Sequence, residues 1–211
     1  MFRIPSCLSG RAALMLLAAL SLVALTTRAA NAHEFVVSLR AVGAERELIL
    51  QDALRGFLLA TAERDGHANE QSNGHLGGLD VYIIPQPESI AARFPELKAA
   101  PGGPPDIVAV IGVSADVTAE VAAIGDDDLI LLPGLLPDAN RWTADEARDP
   151  NSFAARFIAA YGQPASQWAA RGYNAARRID AAVRPLGGVG DRAALEGAFA
   201  ESASGIRWQA D

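Results

Sequence analysis

From Ile107 to Ile111 the chain reads Ile-Val-Ala-Val-Ile, with Asp106 before it, Gly112 after it and no polar side chain between. A strand with one wet face alternates apolar and polar side chains, so an unbroken run over Asp106–Ile111 predicts a strand covered on both faces. That habit belongs to parallel sheets lying under helices, and the flanking segments agree with it. Phe35-Val36-Val37-Ser38-Leu39 reads as a first strand, and a long segment from about Ala44 to Arg64 carries Leu50, Ala53, Leu54, Phe57 and Leu58 at helical spacing. A polar, glycine-rich stretch from Asp65 to Gly78 follows, then Leu79-Asp80-Val81-Tyr82-Ile83-Ile84 as a second strand, expected to stop at Pro85 and Pro87 because proline has no N–H for a ladder.

The alternation continues beyond these segments. Ser89 to Lys98 reads as a short helix, Ser114 to Ile124 as another, and Leu129-Ile130-Leu131-Leu132 as a fourth strand before Pro133. Strands that alternate with helices in this way predict an α/β fold with a doubly wound parallel sheet. From Asp149 onward the pattern turns helical, with segments at Pro150 to Ala160, Ala165 to Val183 and Asp191 to Glu201, the last two separated by Gly187-Gly188-Val189-Gly190. A single domain with a helical C-terminal section is the expected organisation.

Charge and composition narrow the function. The 211 residues hold 25 acidic against 18 basic side chains, a formal net charge of −7, and Lys98 is the sole lysine. A nucleic-acid partner needs a basic patch to neutralise phosphates, so none is expected. At the N-terminus Arg3 and Arg11 precede the apolar run Ala12 to Leu25, and Ala30-Asn31-Ala32 closes the segment. This reads as a secretory signal peptide over residues 1–32, cleaved to leave residues 33–211 in the periplasm; the apolar run is shorter than the roughly 20 residues a bilayer span needs. Three arginines and no acids lie in that leader, so the remainder is more acidic still. The one cysteine, Cys7, lies there too, which leaves no disulfide and no thiolate chemistry in an oxidising compartment.

No G-x-S-x-G, H-E-x-x-H or phosphate-loop pattern occurs, and the glycines at 187, 188 and 190 follow a helix instead of a strand. No enzyme activity, cofactor or metal is therefore expected. Asp126-Asp127-Asp128 offers hard oxygen ligands, but adjacent aspartates without a looped spacing read as a solvated turn. His33 would become the mature N-terminus, where an α-amino group and an imidazole can chelate copper with His67 or His75 as a further ligand. Such braces are built on β-sandwiches, and His67 and His75 sit in the polar stretch, so this stays a minority reading. Trp142, Tyr161, Trp168 and Tyr173 read as core packing where helices meet the sheet.

Three stretches together resemble the type 1 periplasmic solute-binding proteins, in particular the branched-chain amino-acid receptors of ABC transporters. They are Gly77-Gly78 leading into Leu79–Ile84, Asp106–Ile111 followed by Gly112-Val113-Ser114, and Phe153 to Tyr161-Gly162 followed by Pro164 and Ala169-Ala170-Arg171-Gly172-Tyr173-Asn174-Ala175-Ala176. The resemblance implies a ligand-binding protein without chemical turnover, a small-molecule ligand and a membrane permease as partner. Family members clamp their ligand between two lobes, whereas this chain resembles the first lobe and the helices that return to it. After the fourth strand it offers Pro133-Gly134-Leu135-Leu136-Pro137, with no hydroxyl. A site is expected beyond the carboxyl ends of the strands, where the helix after Gly112 presents Ser114 and backbone N–H groups to an anion. Ser114 is equally suited to capping that helix. The alternative function is an accessory module that docks another periplasmic protein or forms a homodimer, with Leu135 and Leu136 as its apolar surface.

Overall fold

The computed structural model describes residues 34–64, 71–89, 96, 104–124, 130–133 and 148–203. The chain divides into two units, Met1–Ala32 and His33–Asp211, and every described residue belongs to the second. The expected leader, His33, His67, Asp126-Asp127-Asp128, Leu135, Leu136, Trp142 and most of the expected Ser89–Lys98 helix lie outside the described residues.

In chain order the elements are β1 (Glu34–Ala41), α1 (Arg46–Ala62), β2 (His75–Leu76), β3 (Leu79–Gln86), β4 (Ile107–Ile111), α2 (Ser114–Ile124), β5 (Ile130–Pro133), α3 (Phe153–Tyr161), α4 (Gln167–Leu186) and α5 (Arg192–Glu201). The sheet order is β2-β3-β1-β4-β5. β1 runs parallel to both β3 and β4 and β4 parallel to β5; among the described strands only β2 is antiparallel, against the start of β3. The fold is mixed α/β, as the alternation predicts.

The apolar run that predicts a doubly covered strand behaves so. Ile107, Ala109 and Ile111 join Phe35, Val37, Leu39 and Ala41 in a core that also takes Phe57 of α1, Phe153 and Phe157 of α3, Ile179 of α4 and Phe199 of α5. Val108 and Val110 point the other way, into a smaller cluster with Val42 and with Val117 and Ile124 of α2. Among the described residues α1, α4 and α5 therefore cover one face, with α3 packed against α1 and α4, and α2 lies on the opposite face. All five residues of β4 are buried, which is the cause of the run's composition.

The strand stops directly before Pro87, as expected, but runs through Pro85 for a directional reason. β3 continues through Pro85 to Gln86, with Leu39 opposite Pro85 and Arg40 opposite Gln86. The N–H of Val81 donates to Gly74 O at 3.0 Å and that of Ile83 to Asn73 Oδ1 at 2.8 Å, so N–H groups at odd positions of β3 point away from β1. The N–H that Pro85 lacks would face the same outer side, and the ladder to β1 loses nothing. The glycine-rich stretch also hides β2, a two-residue arm turned back onto β3 by Gly77 and Gly78 at φ +67° and +84°.

α1 and α4 cross with their backbones almost touching. A Cβ on Gly56 would lie 1.8 Å from Ala169 O, and one on Gly172 would lie 2.0 Å from Ala53 O, so only glycine permits this approach. Polar bridges then fix the register of the pair. Asp180 of α4 meets Arg64, just past the end of α1, at 3.4 Å, accepts the Gly77 N–H at 2.7 Å and meets Arg184 of its own helix at 2.7 Å. Beside Arg64, Glu63 Oε2 accepts from Tyr173 at 2.7 Å, and Arg156 holds Glu63 Oε1 at 2.6 Å and the Tyr173 hydroxyl at 2.6 Å. Arg156 also donates to the Asn151 carbonyl. The helical segments start at polar caps: Ser152, Ser166 and Asp191 each accept backbone N–H groups from α3, α4 and α5. Tyr161 and Tyr173 pack as the sequence suggests, with Tyr173 4.7 Å from Phe153 and Tyr161 4.7 Å from Phe157 between ring centroids.

Candidate functional site

In a sheet ordered β3-β1-β4-β5, the chain moves outward from β1 to β3 and then in the other direction from β4 to β5. The carboxyl ends of β1 and β4 flank the point where that direction reverses, the place where open α/β sheets leave a crevice. An open depression of about 290 Å³ lies at the end of β1, lined by Arg40, Val42, Gly43, Arg46, Asp116, Ala119 and Glu120. That volume is near the lower end of ligand pockets, enough for a small solute.

Each lining side chain is set by its element. Arg40 is the seventh residue of β1 and faces the α2 side, opposite to Leu39 and Ala41. A central strand under two layers buries whatever it carries, and Arg40 is only 6% exposed. A charge so placed needs partners, because removing it from water unpaired costs several kcal/mol at least, roughly. It has three. Its Nε donates to Glu120 Oε1 at 2.9 Å, and its Nη1 to the carbonyls of Pro87 at 2.8 Å and Gln86 at 3.4 Å. Ser89 Oγ donates to the same Glu120 oxygen at 3.2 Å. One guanidinium thus ties α2 to the end of β3.

The rim is built by the turn between β1 and α1. Gly43 adopts φ +111°, and a Cβ there would stand 3.2 Å from Asp116 Oδ2, so the carboxylate lies close against a backbone only glycine forms without strain. Asp116 sits in the first turn of α2, the helix end that favours an anion. Arg46 is exposed at the first position of α1. The depression therefore carries two guanidinium groups and two carboxylates, of which Arg40 and Glu120 neutralise one another.

The residues singled out from sequence fall beside this site and do not line it. Gly112 is buried, and a Cβ on it would meet Val42 Cγ2 at 2.5 Å, so its role in the structure is to let β4 end against β1. Ser114 is exposed and begins α2; the Val113 carbonyl accepts the Val117 N–H, so Val113 and not Ser114 holds the capping position. Arg40, Gly43, Arg46, Asp116 and Glu120 escape the sequence reading. The available signal was Arg40, a charge set between the apolar Leu39 and Ala41 near the end of a strand. His75 lies far along the sheet order, on β2, 3.0 Å from Asp80. Among the described residues no three His, Cys, Asp or Glu side chains come together as metal ligands, and no helix is long and apolar enough to cross a membrane.

No protein-family profile matches the chain, and no curated protein matches it. Among solved structures, a branched chain amino acid ABC transporter periplasmic ligand-binding protein from Burkholderia xenovorans LB400 aligns with 85% of this chain and 48% of its own, at 16% identity and a TM-score of 0.24. The chain thus spans about half the length of that protein.

Proposed function

We propose that this chain is a periplasmic binding component that takes a small polar solute, of the amino-acid class, without chemical turnover, and works with an ABC-type membrane permease. The observation that carries the reading is the depression at the carboxyl end of β1, at the reversal point of the sheet, with opposite charges on its wall. Such a wall suits a solute carrying both charges, since a pair of fixed opposite charges gives orientation as well as attraction. The resemblance of the Gly77–Ile84, Asp106–Ser114 and Phe153–Ala176 stretches to solute receptors supports it, and the proposed site extends beyond the depression to Ser114 on the neighbouring first turn of α2, with Gly112 before it. Isothermal titration with the free amino acids tests it. Saturable binding of at least one, lost on changing Asp116 to Asn, is the expected result; no heat with any of them, together with no small-molecule mass retained in native mass spectrometry, rejects the reading.

A second reading, an accessory module for another periplasmic protein or a second copy of the chain, is favoured by Leu48 and Val113. Both are 50% exposed, in the first turn of α1 and just before α2. Sedimentation analysis distinguishes the two: a dimer broken by Val113→Asp supports the accessory role.

A further inference from the structure

The geometry points to Arg40 as the residue that selects for a carboxylate on the solute, with Glu120 as the positioning residue that sets the guanidinium plane; this deepens the solute-binding reading and rests on it. Arg40 lines the depression yet is 6% exposed, so it is a built feature of the wall and not a surface side chain that happens to reach it. Its bonds use one edge and one corner of the guanidinium. Nε is engaged by Glu120, and Nη1 by the carbonyls of Gln86 and Pro87. Among the described residues nothing engages Nη2, the nitrogen left to serve the depression. A guanidinium held on two sides has lost its rotamer freedom before any ligand arrives, so a bond from Nη2 costs little further ordering.

The partner chemistry follows from what the rest of the wall carries. Glu120 is spent on Arg40 and Ser89, so it does not repel an incoming anion as a free carboxylate would. Arg46 adds a second cation on the rim, while Asp116 supplies a carboxylate for a cationic group elsewhere on the solute. The solute's carboxylate therefore belongs on the Arg40 side and its ammonium on the Asp116 side. Lysine in place of Arg40 would keep the charge but lose the fork that spans Glu120, two carbonyls and the solute together.

The test compares L-leucine with 3-methylbutylamine, its decarboxylated counterpart, by isothermal titration on the purified protein and on Arg40→Lys, Arg40→Gln and Glu120→Gln. A charge-assisted bond to the carboxylate makes the wild-type protein prefer leucine by about ten- to hundred-fold. Arg40→Lys and Arg40→Gln are expected to bring that ratio close to one while binding of the amine holds, and Glu120→Gln to lower it partly. A merely structural role would weaken both compounds alike, so the ratio separates selection from folding. Circular dichroism checks that each variant is folded, and Arg40→Lys serves if Arg40→Gln is not. An unchanged ratio in the Arg40 variants, or equal binding of acid and amine to the wild type, overturns the assignment of Arg40 and leaves solute binding standing. No binding of either compound overturns the assignment, and no binding of any amino acid takes the parent reading with it.

Discussion

A phenol hydroxyl between a carboxylate and a guanidinium has its proton held in place. Burial of Tyr173 and its hydrogen bond to Glu63 push its pKa from the ordinary 10.0 up to about 12, against the pull of Arg156 and Arg177. In the unfolded chain the phenol ionises near its ordinary value, so between about pH 10 and pH 12 the unfolded state gives up a proton that the folded state keeps. Stability attached to this residue is present below pH 10 and is lost as pH rises towards 12. Thermal unfolding followed across that range should show a decline that Tyr173→Phe makes shallower, while the variant itself is less stable at neutral pH by about 1 kcal/mol from the lost hydrogen bonds. Neither this network nor the side chains that line the depression were legible from sequence. Glu63, Arg156 and Tyr173 are separated in sequence, and only the packing of α1, α3 and α4 against one another brings them together. Arg40 offered a local clue, since a charge among Val37, Leu39 and Ala41 has to find a partner, but nothing in the spacing named Glu120.

At the scale of elements, the same substitution is expected to have opposite signs in two helices. Gly56 lies where α1 touches the α4 backbone, so Gly56→Ala must push the helices apart, and the overpacking should cost about 2 kcal/mol or more despite alanine's better helix propensity. Gly197 of α5 has nothing within 4 Å of a Cβ, and Gly197→Ala should stabilise by up to about 1 kcal/mol. Urea unfolding of both variants checks the pair. Element type was widely legible because period and composition are local: β4, α2 and α5 begin and end within a residue or so of where the apolar spacing and polar caps place them. What failed was directional. Whether Pro85 ends a strand depends on which side its missing N–H faces, and β2 is too short to show a period before Gly77 and Gly78 turn it onto β3.

For the whole molecule, a solute that binds only the folded chain should raise its stability by mass action. At a concentration one hundred times its Kd the gain is about 2.7 kcal/mol, which for a domain of this size is a Tm rise of roughly 5–10 °C. Thermal scans with and without the solute that gives heat in titration would show it, and Asp116→Asn should erase the shift. The mixed α/β fold was readable from the order of runs, whereas the lining of the depression was not, since it depends on strand order and on side chains from β1, α1 and α2 meeting in space.

The outer side of β3 carries a consequence for how copies of this protein behave towards one another when crowded. An extended segment joining a sheet needs a row of free donors and acceptors along the border strand. Here the Ile83 donor is already spent on the Asn73 amide oxygen, and the next outward position, Pro85, has no donor to give. Two successive rungs are missing from the ladder an intruding strand would have to climb, so among the described residues the part of β3 beyond its pairing with β2 is blunted against growth, and replacing Asn73 or Pro85 would open it to fibre-forming contacts.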